Sequence, residues 1–461
     1  CVNDGYGRSL YSTRYRNETA SMRDIFVTAI IFGALPFVFK RPWIGVLLWT
    51  WLAYMNPHRQ TWGFAYSFPF SMVVGLVTIG AYMFSTSRKE MLWTRETVVL
   101  LMFVIWMFVT TLFAFYPEDA WLQWNKVWKI QLMIFVIAMI IQDRKQLIWM
   151  VWVIALSLAY YGVKGGIFTI ATGGNYHVWG PNNTFIGGNN EIALALVMTI
   201  PLIRYLHLQA ERRWVRLGLA AAMILSGVAA IGSQSRGALL AMLCMGLFLW
   251  IKSRNKIVTG VYLAVAVTIL ALVMPQSWYD RMNTIENYQE DASALGRINA
   301  WHTAFNVAKD RVTGGGFDMF VPRTFYQYAP EPYRVHDAHS IYFEVMGEHG
   351  FIGFILFVTI GVMTWIRAQQ IIKRNKHHPE HKWASDLAAM TQVSLIGYAT
   401  GGAFLGLAYF DLPYHLMVII VLTAKFTGGL NVNGHVWHSE KPRPLPHPSS
   451  RFHPDNAAGQ I

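Results

Sequence analysis

The chain has 461 residues, 54% hydrophobic and only 14% charged, with a formal net charge of +13 and a mean hydropathy of +0.32. A soluble domain carries about 25% charged residues, so this chain cannot hide its apolar surface by folding on itself, and a bilayer must solvate much of it. The basic excess sits in short clusters between apolar runs, where it sets membrane orientation; this excludes nucleic acid as the partner.

Residues 1–21 are polar and precede Met22-Arg23-Asp24-Ile25, which reads as a natural start; they are set aside as an appended leader. Runs suited to crossing follow at 25–39, 43–55, 66–84, 97–115, 128–141, 147–161, 191–206, 216–232, 237–251, 257–274, 341–366, 388–408 and 412–427. A crossing takes roughly 20 residues, so the shorter runs must extend into their flanks, and an all-α polytopic fold of about twelve transmembrane helices is expected. Cys244 lies inside an apolar run and Cys1 is the only other cysteine, so there is no disulfide framework.

From residue 85 onward every second connection is basic: Arg88, Lys89 and Arg95, then Arg144 and Lys145, Arg212, Arg213 and Arg216, Lys252, Arg254 and Lys256, and finally Arg367 to Lys382. These connections face the cytoplasm, together with the chain beyond Lys425. Thirteen crossings put the N-terminus on the opposite, trans side; if it is cytoplasmic, one of the first two runs does not span. The trans side then carries 56–65, 116–127, 162–190, 233–236, 275–340 and 409–411.

The largest of these, 275–340, contains a helical pattern. Ser293 can cap it, and Leu295, Ile298, Trp301, Phe305 and Ala308 recur at helical spacing, which predicts an amphipathic helix on the outer membrane face, broken by Gly314-Gly315-Gly316. The domains expected are a transmembrane bundle over 22–274, a periplasmic loop domain over 275–340, transmembrane helices over 341–430 and a disordered cytoplasmic tail over 431–461.

Cations are disfavoured on the trans side, yet several occur there. Arg236 stands between two apolar runs with almost no loop; it either snorkels to headgroups or binds an anion. Arg297 lies on the predicted helix, as part of a solvated face or of a site. His339 opens the next apolar run, where an imidazole can satisfy a helix end or accept a proton near neutral pH. His336, Asp337 and His339 could suggest a metal, but no second ligand cluster accompanies them. His58, Arg59, Lys126, Lys129, Lys164, Asn189, Asn190, Glu191, Tyr409 and Asp411 complete a polar rim with excess cations, suited to a phosphate-bearing ligand. No Walker loop, dinucleotide-binding glycine pattern or HExxH occurs, so a reaction on that side needs an activated donor carried by the membrane.

Gly232-Ser-Gln-Ser-Arg-Gly-Ala238, Gly296-Arg-Ile-Asn-Ala-Trp301, Thr313-Gly-Gly-Gly-Phe317, His336-Asp-Ala-His-Ser-Ile-Tyr-Phe-Glu344 and Gly347-Glu-His-Gly350, in that order, resemble the O-antigen ligase (WaaL) family within the ligase and polymerase superfamily of polysaccharide assembly. Arg41-Pro-Trp-Ile-Gly45, Tyr54-Met-Asn-Pro-His-Arg59 and Tyr161-Gly-Val-Lys-Gly-Gly166 are similar to O-glycosylation ligases associated with exosortase systems. The resemblance implies a bacterial inner-membrane enzyme with a periplasmic site. It implies an undecaprenyl-diphosphate-linked O-antigen donor and a lipid A core oligosaccharide acceptor. It also implies inversion at the anomeric carbon, with no nucleotide, metal or other cofactor. His339 becomes the general base, and Arg236 and Arg297 the diphosphate ligands. Tyr342 and Asp411 are weaker candidates for positioning substrate, and Lys164, Arg59 and Asn190 weaker still.

A polymerase or a protein O-oligosaccharyltransferase shares this chemistry with another acceptor. A lipid-linked oligosaccharide flippase is the rival of another class, although the two halves show no repeat and the polar residues gather on one side rather than at midplane.

Overall fold

The computed structural model describes residues 5–86, 89–253, 292–428, 431–432 and 435–436, with scattered residues between 255 and 279. Arg88, most of the expected crossing at 257–274, the loop up to 291 and nearly all of the tail after 436 lie outside the described residues.

The described chain is helical apart from the two-residue strands Asn431–Val432 and His435–Val436. Its helices are α1 (Gly5–Lys40), α2 (Pro42–Met55), α3 (Phe70–Phe84), α4 (Arg95–Leu112), α5 (Pro117–Ile140), α6 (Arg144–Ala171) and α7 (Asn189–Gln209). They continue with α8 (Arg213–Gly232), α9 (Arg236–Lys252), α10 (Ala292–Asp310), α11 (Pro322–Tyr328), α12 (Ile341–Arg374), α13 (Lys382–Gly401) and α14 (Asp411–Phe426). Six segments are long and apolar enough to cross a membrane: Met22–Lys40, α4, α6, α7, α8 and α12. Helices α2 and α3 are apolar but shorter.

Helix boundaries follow local chemistry. Pro42 sits in the first turn of α2, where a missing N–H costs nothing, and Asn56 closes that helix in the left-handed region at φ 46°. Thr94 and Thr97 form a reciprocal cap on α4. Asp143 caps α6 through the Gln146 amide, and Ser235 caps α9 through that of Ala238. Helix α14 is apolar on every side, and its residues from Asp411 to Ala424 are all buried; such a helix belongs at the centre of a bundle. It packs on α5, α6, α12 and α13. Gly162 and Gly166 let α6 press against α8: a Cβ on Gly166 would stand 2.4 Å from the Leu225 carbonyl oxygen. This close approach of small residues is a common way to join helices in lipid.

The connections sort to two ends of the bundle. At one end Arg367 pairs with Glu96 at 2.9 Å, Arg144 lies over the Trp383 ring, and Gln209 donates to Asp386. At the other, Asn183 donates to Tyr66, Gln234 to the Gly174 carbonyl, Asn189 to that of Ser233, the Phe115 amide to Gly315 and Arg311 to Phe113. The second set joins stretches that the charge pattern places on the trans side.

Helix α10 buries a narrow stripe of mostly small residues. The described helix includes Ser293, and Gly314 to Gly316 follow its end. Its buried stripe is Gly296, Asn299 and Ala300, Thr303 and Ala304, Val307 and Ala308, whereas Phe305 remains 46% exposed against the ring of Phe351. Small residues win the buried side because α12 comes close there; a Cβ on Gly347 would lie 3.1 Å from Ala304. Leu295, Ile298 and Trp301 are half-buried beside it.

Helix α12 is interrupted at Gly350, with φ 67° and ψ −173°. The glycine turn after α10 docks into the break. The Gly315 amide donates to the Gly347 carbonyl and the Gly316 amide to that of Glu348, each at 2.9 Å. A Cβ on Gly350 would fall 2.2 Å from the Val312 carbonyl oxygen. That backbone region is almost closed to other residues, at a cost of about 1–3 kcal/mol. Gly350→Ala is therefore expected to lower the thermal unfolding midpoint of the detergent-purified protein; an unchanged midpoint would show that the docked turn contributes little to stability.

Candidate functional site

The site is assembled from α10 and the stretch 329–340 that it pins. Asn299 donates to the carbonyls of Glu331 and Arg334, at 2.8 and 2.9 Å, and accepts from the Glu331 amide at 3.0 Å. The Trp301 indole donates to the Ala338 carbonyl at 2.8 Å and stacks on Phe343. Both Asn299 and Trp301 lie within two turns of Arg297, so one helix sets both the guanidinium and the loop that carries His339.

His339 adopts the left-handed backbone region, φ 40°, immediately before α12. This costs a residue with a Cβ roughly 1–2 kcal/mol. Its ring packs edge-on to His336, and its Nδ1 is buried with no hydrogen-bond partner among the described residues. Burial pushes the imidazole below its ordinary range; the Asp337 charge works against this, and Arg297 and His336 work with it. A ring held neutral at pH 7 can accept a proton.

Arg297 extends Nη1 toward the Phe404 carbonyl at 3.5 Å. Arg236 opens α9, and its neighbour Gly237 lies against Phe404 and Leu405. The two arginines therefore flank the same α13–α14 connection. Glu191, in the first turn of α7 beside Asn190, interacts electrostatically with Arg297 and Asp337.

A group of carboxylates was not singled out by residue-level reading. Glu344 and Glu348 lie one turn apart on α12. Glu344 accepts from the Ala408 amide at 3.4 Å; Glu348 accepts from the Asp318 amide at 2.9 Å and from the Tyr409 hydroxyl at 2.5 Å. Asp337 joins them on the far side of Gly406, where an added Cβ would sit 3.5 Å from the Glu344 carboxylate and 3.8 Å from that of Asp337. Asp318 is itself left-handed, φ 56°, and burial raises its pKa, with the Lys126 charge opposing. The available signal was two glutamates at helical spacing inside an apolar run, where an ionisable group is expensive and therefore informative.

The other predicted residues go elsewhere. Asp411 and Arg59 line a separate cavity of about 470 Å³. Lys164 lines a groove of about 1010 Å³ with Arg23, Gln60 and Tyr160. Tyr342 donates to the Ala399 carbonyl at 2.9 Å and borders an apolar crevice of about 290 Å³ between α12, α13 and α14. Among the described residues no group of three or more His, Cys, Asp or Glu side chains could hold a metal ion.

Residues 221–358 match the family model described as O-Antigen ligase, and residues 22–211 match a family of unknown function (DUF5935). No curated protein matches the chain. The O-antigen ligase match takes in Arg236, Arg297, His339, Glu344 and Glu348, from the middle of α8 to the middle of α12.

Proposed function

We propose that this multi-pass membrane protein, which carries an O-antigen ligase domain over residues 221–358, transfers a glycan from undecaprenyl diphosphate to a hydroxyl of lipid A core oligosaccharide on the periplasmic face. The observation that carries the reading is the meeting of His339 with Arg297, both positioned by α10. In the reaction, His339 takes the proton from the acceptor hydroxyl as its oxygen bonds to the anomeric carbon. The bond from that carbon to the diphosphate oxygen breaks on the opposite face, so configuration inverts. Arg236 and Arg297 bind the diphosphate as it leaves with added negative charge, which fixed bidentate donors stabilise better than water does. The left-handed backbone at His339 fits this role, because strain collects where geometry matters more than stability. The apolar crevice bordered by Tyr342 suits part of a prenyl chain.

The test is a reconstituted assay with undecaprenyl-diphosphate-linked glycan and, in turn, lipid A core, a second lipid-linked glycan or a protein acceptor. Glycosylated lipid A core with release of undecaprenyl diphosphate is expected. Extension of the lipid-linked glycan alone would make the protein a polymerase. Movement of donor between leaflets without bond cleavage would overturn the reading.

A pH prediction follows from Asp337, whose charge favours the protonated form of His339. Asp337→Asn removes that charge, so the histidine loses its proton more readily. The acid limb of kcat/KM for transfer is expected to move to lower pH; an unmoved or raised limb would argue against His339 as the titrating base.

A further inference from the structure

The geometry points to a second lipid-phosphate site, in the cavity lined by Arg59 and Asp411, that holds a phosphorylated glycolipid. Three cations meet there from separate parts of the chain: Arg59 after α2, and Lys126 and Lys129 on α5. None forms a salt bridge among the described residues. Arg59 is fixed in place by lying 4.8 Å over the Tyr66 ring, whose hydroxyl accepts from Asn183. The cations outnumber the one carboxylate in the lining, Asp411, which is 4% exposed and whose Oδ1 has no hydrogen-bond partner among the described residues.

Asn56, His58, Ser71, Asn183 and Thr184 add polar groups, and the rest of the wall is apolar. Met72, Leu76 and Leu132 line it and are also exposed on the outside of the bundle, Leu76 to 64%, so the cavity opens toward the bilayer. Phosphate oxygens satisfy the cations, hydroxyls satisfy Asp411, and acyl chains cover the leucines and methionine. Three cations call for more than one phosphate, so a glycolipid with two phosphates and several sugar hydroxyls meets all three demands; a lipid with a single phosphate meets the first only in part, a free phosphate meets only the first, and a neutral lipid only the last. The cavity lies mainly in the part matching the family of unknown function, and Arg236, Arg297 and His339 are not among its lining residues. It nonetheless adjoins the candidate site, because Asp318, whose amide holds Glu348, also feels the Lys126 charge. Its use for the acceptor rests on the glycan transfer proposed above; its ligand class does not.

Binding to the full-length protein in nanodiscs tests this without any donor. The probes are bisphosphorylated lipid A, dephosphorylated lipid A, dioleoylphosphatidylglycerol and inorganic phosphate. Bisphosphorylated lipid A is expected to bind at least about tenfold more tightly than each of the others. The Lys126→Gln/Lys129→Gln double variant should lose that margin, and Lys126→Arg/Lys129→Arg should recover it. Arg297→Gln should bind like wild type. Equal binding of the dephosphorylated lipid, of phosphatidylglycerol or of inorganic phosphate would overturn the ligand class. Unchanged binding by the double glutamine variant, or loss in Arg297→Gln, would overturn the site. If lipid A binds as described but is never glycosylated, the transfer reading fails and this inference stands.

Discussion

His339→Ala is expected to lower glycan transfer by about 10²–10⁴-fold, the range for removing a general base, while the protein still reaches the membrane. The side chain is only partly buried and its Nδ1 has no partner, so no partner of that atom is orphaned by its loss. The backbone complicates alanine, because position 339 is left-handed. His339→Asn separates the two effects: asparagine tolerates that conformation but is no base near pH 7. It should be as inactive as alanine and at least as stable. Near-normal lipopolysaccharide ladders from cells carrying either variant would remove His339 from the mechanism.

Arg297→Ala should cost about 10²–10³ in kcat, as expected for losing one preorganised stabiliser of developing charge. It should also leave a second signature. The guanidinium disfavours a proton on His339, so without it the histidine holds its proton to higher pH, and the acid limb of the rate profile moves up. Arg236, at the start of α9, is the second diphosphate ligand proposed, and Arg236→Ala should also slow transfer. Arg297→Lys keeps a charge but loses the planar fork, and recovery should be incomplete. If purified Arg297→Ala consumed donor at the wild-type rate, the diphosphate role would be wrong.

The helical character of the chain and its apolar runs were legible from composition; the helix ends set by Pro42, Thr94 and Ser235 came only with the structure. Arg236 and His339 drew attention because each borders an apolar run, Arg297 because it is a cation on the amphipathic helix of the trans side, and ordered motifs tied all three to one proposed reaction. Periodicity located the large apolar residues of α10 but not its buried stripe, since it ranks residues by apolarity while packing against α12 selects small ones. Glu344 and Glu348 were passed over because their amide and hydroxyl partners, from Ala408, Asp318 and Tyr409, are distant in sequence. The polar rim read as one set divides among cavities, because residue type shows that a side chain can meet phosphate but not which wall it stands on.

The glycine turn seated in the break of α12 also bears on biogenesis. Gly315 and Gly316 leave the ribosome before Gly347 and Glu348, yet the turn is complete only when the later pair offers its carbonyls. The stretch carrying Asp318 and His339 therefore reaches its final arrangement only once α12 has emerged and bent. A chain halted before that helix holds both arginines but no assembled site, so transfer activity reports on completed insertion of the C-terminal part.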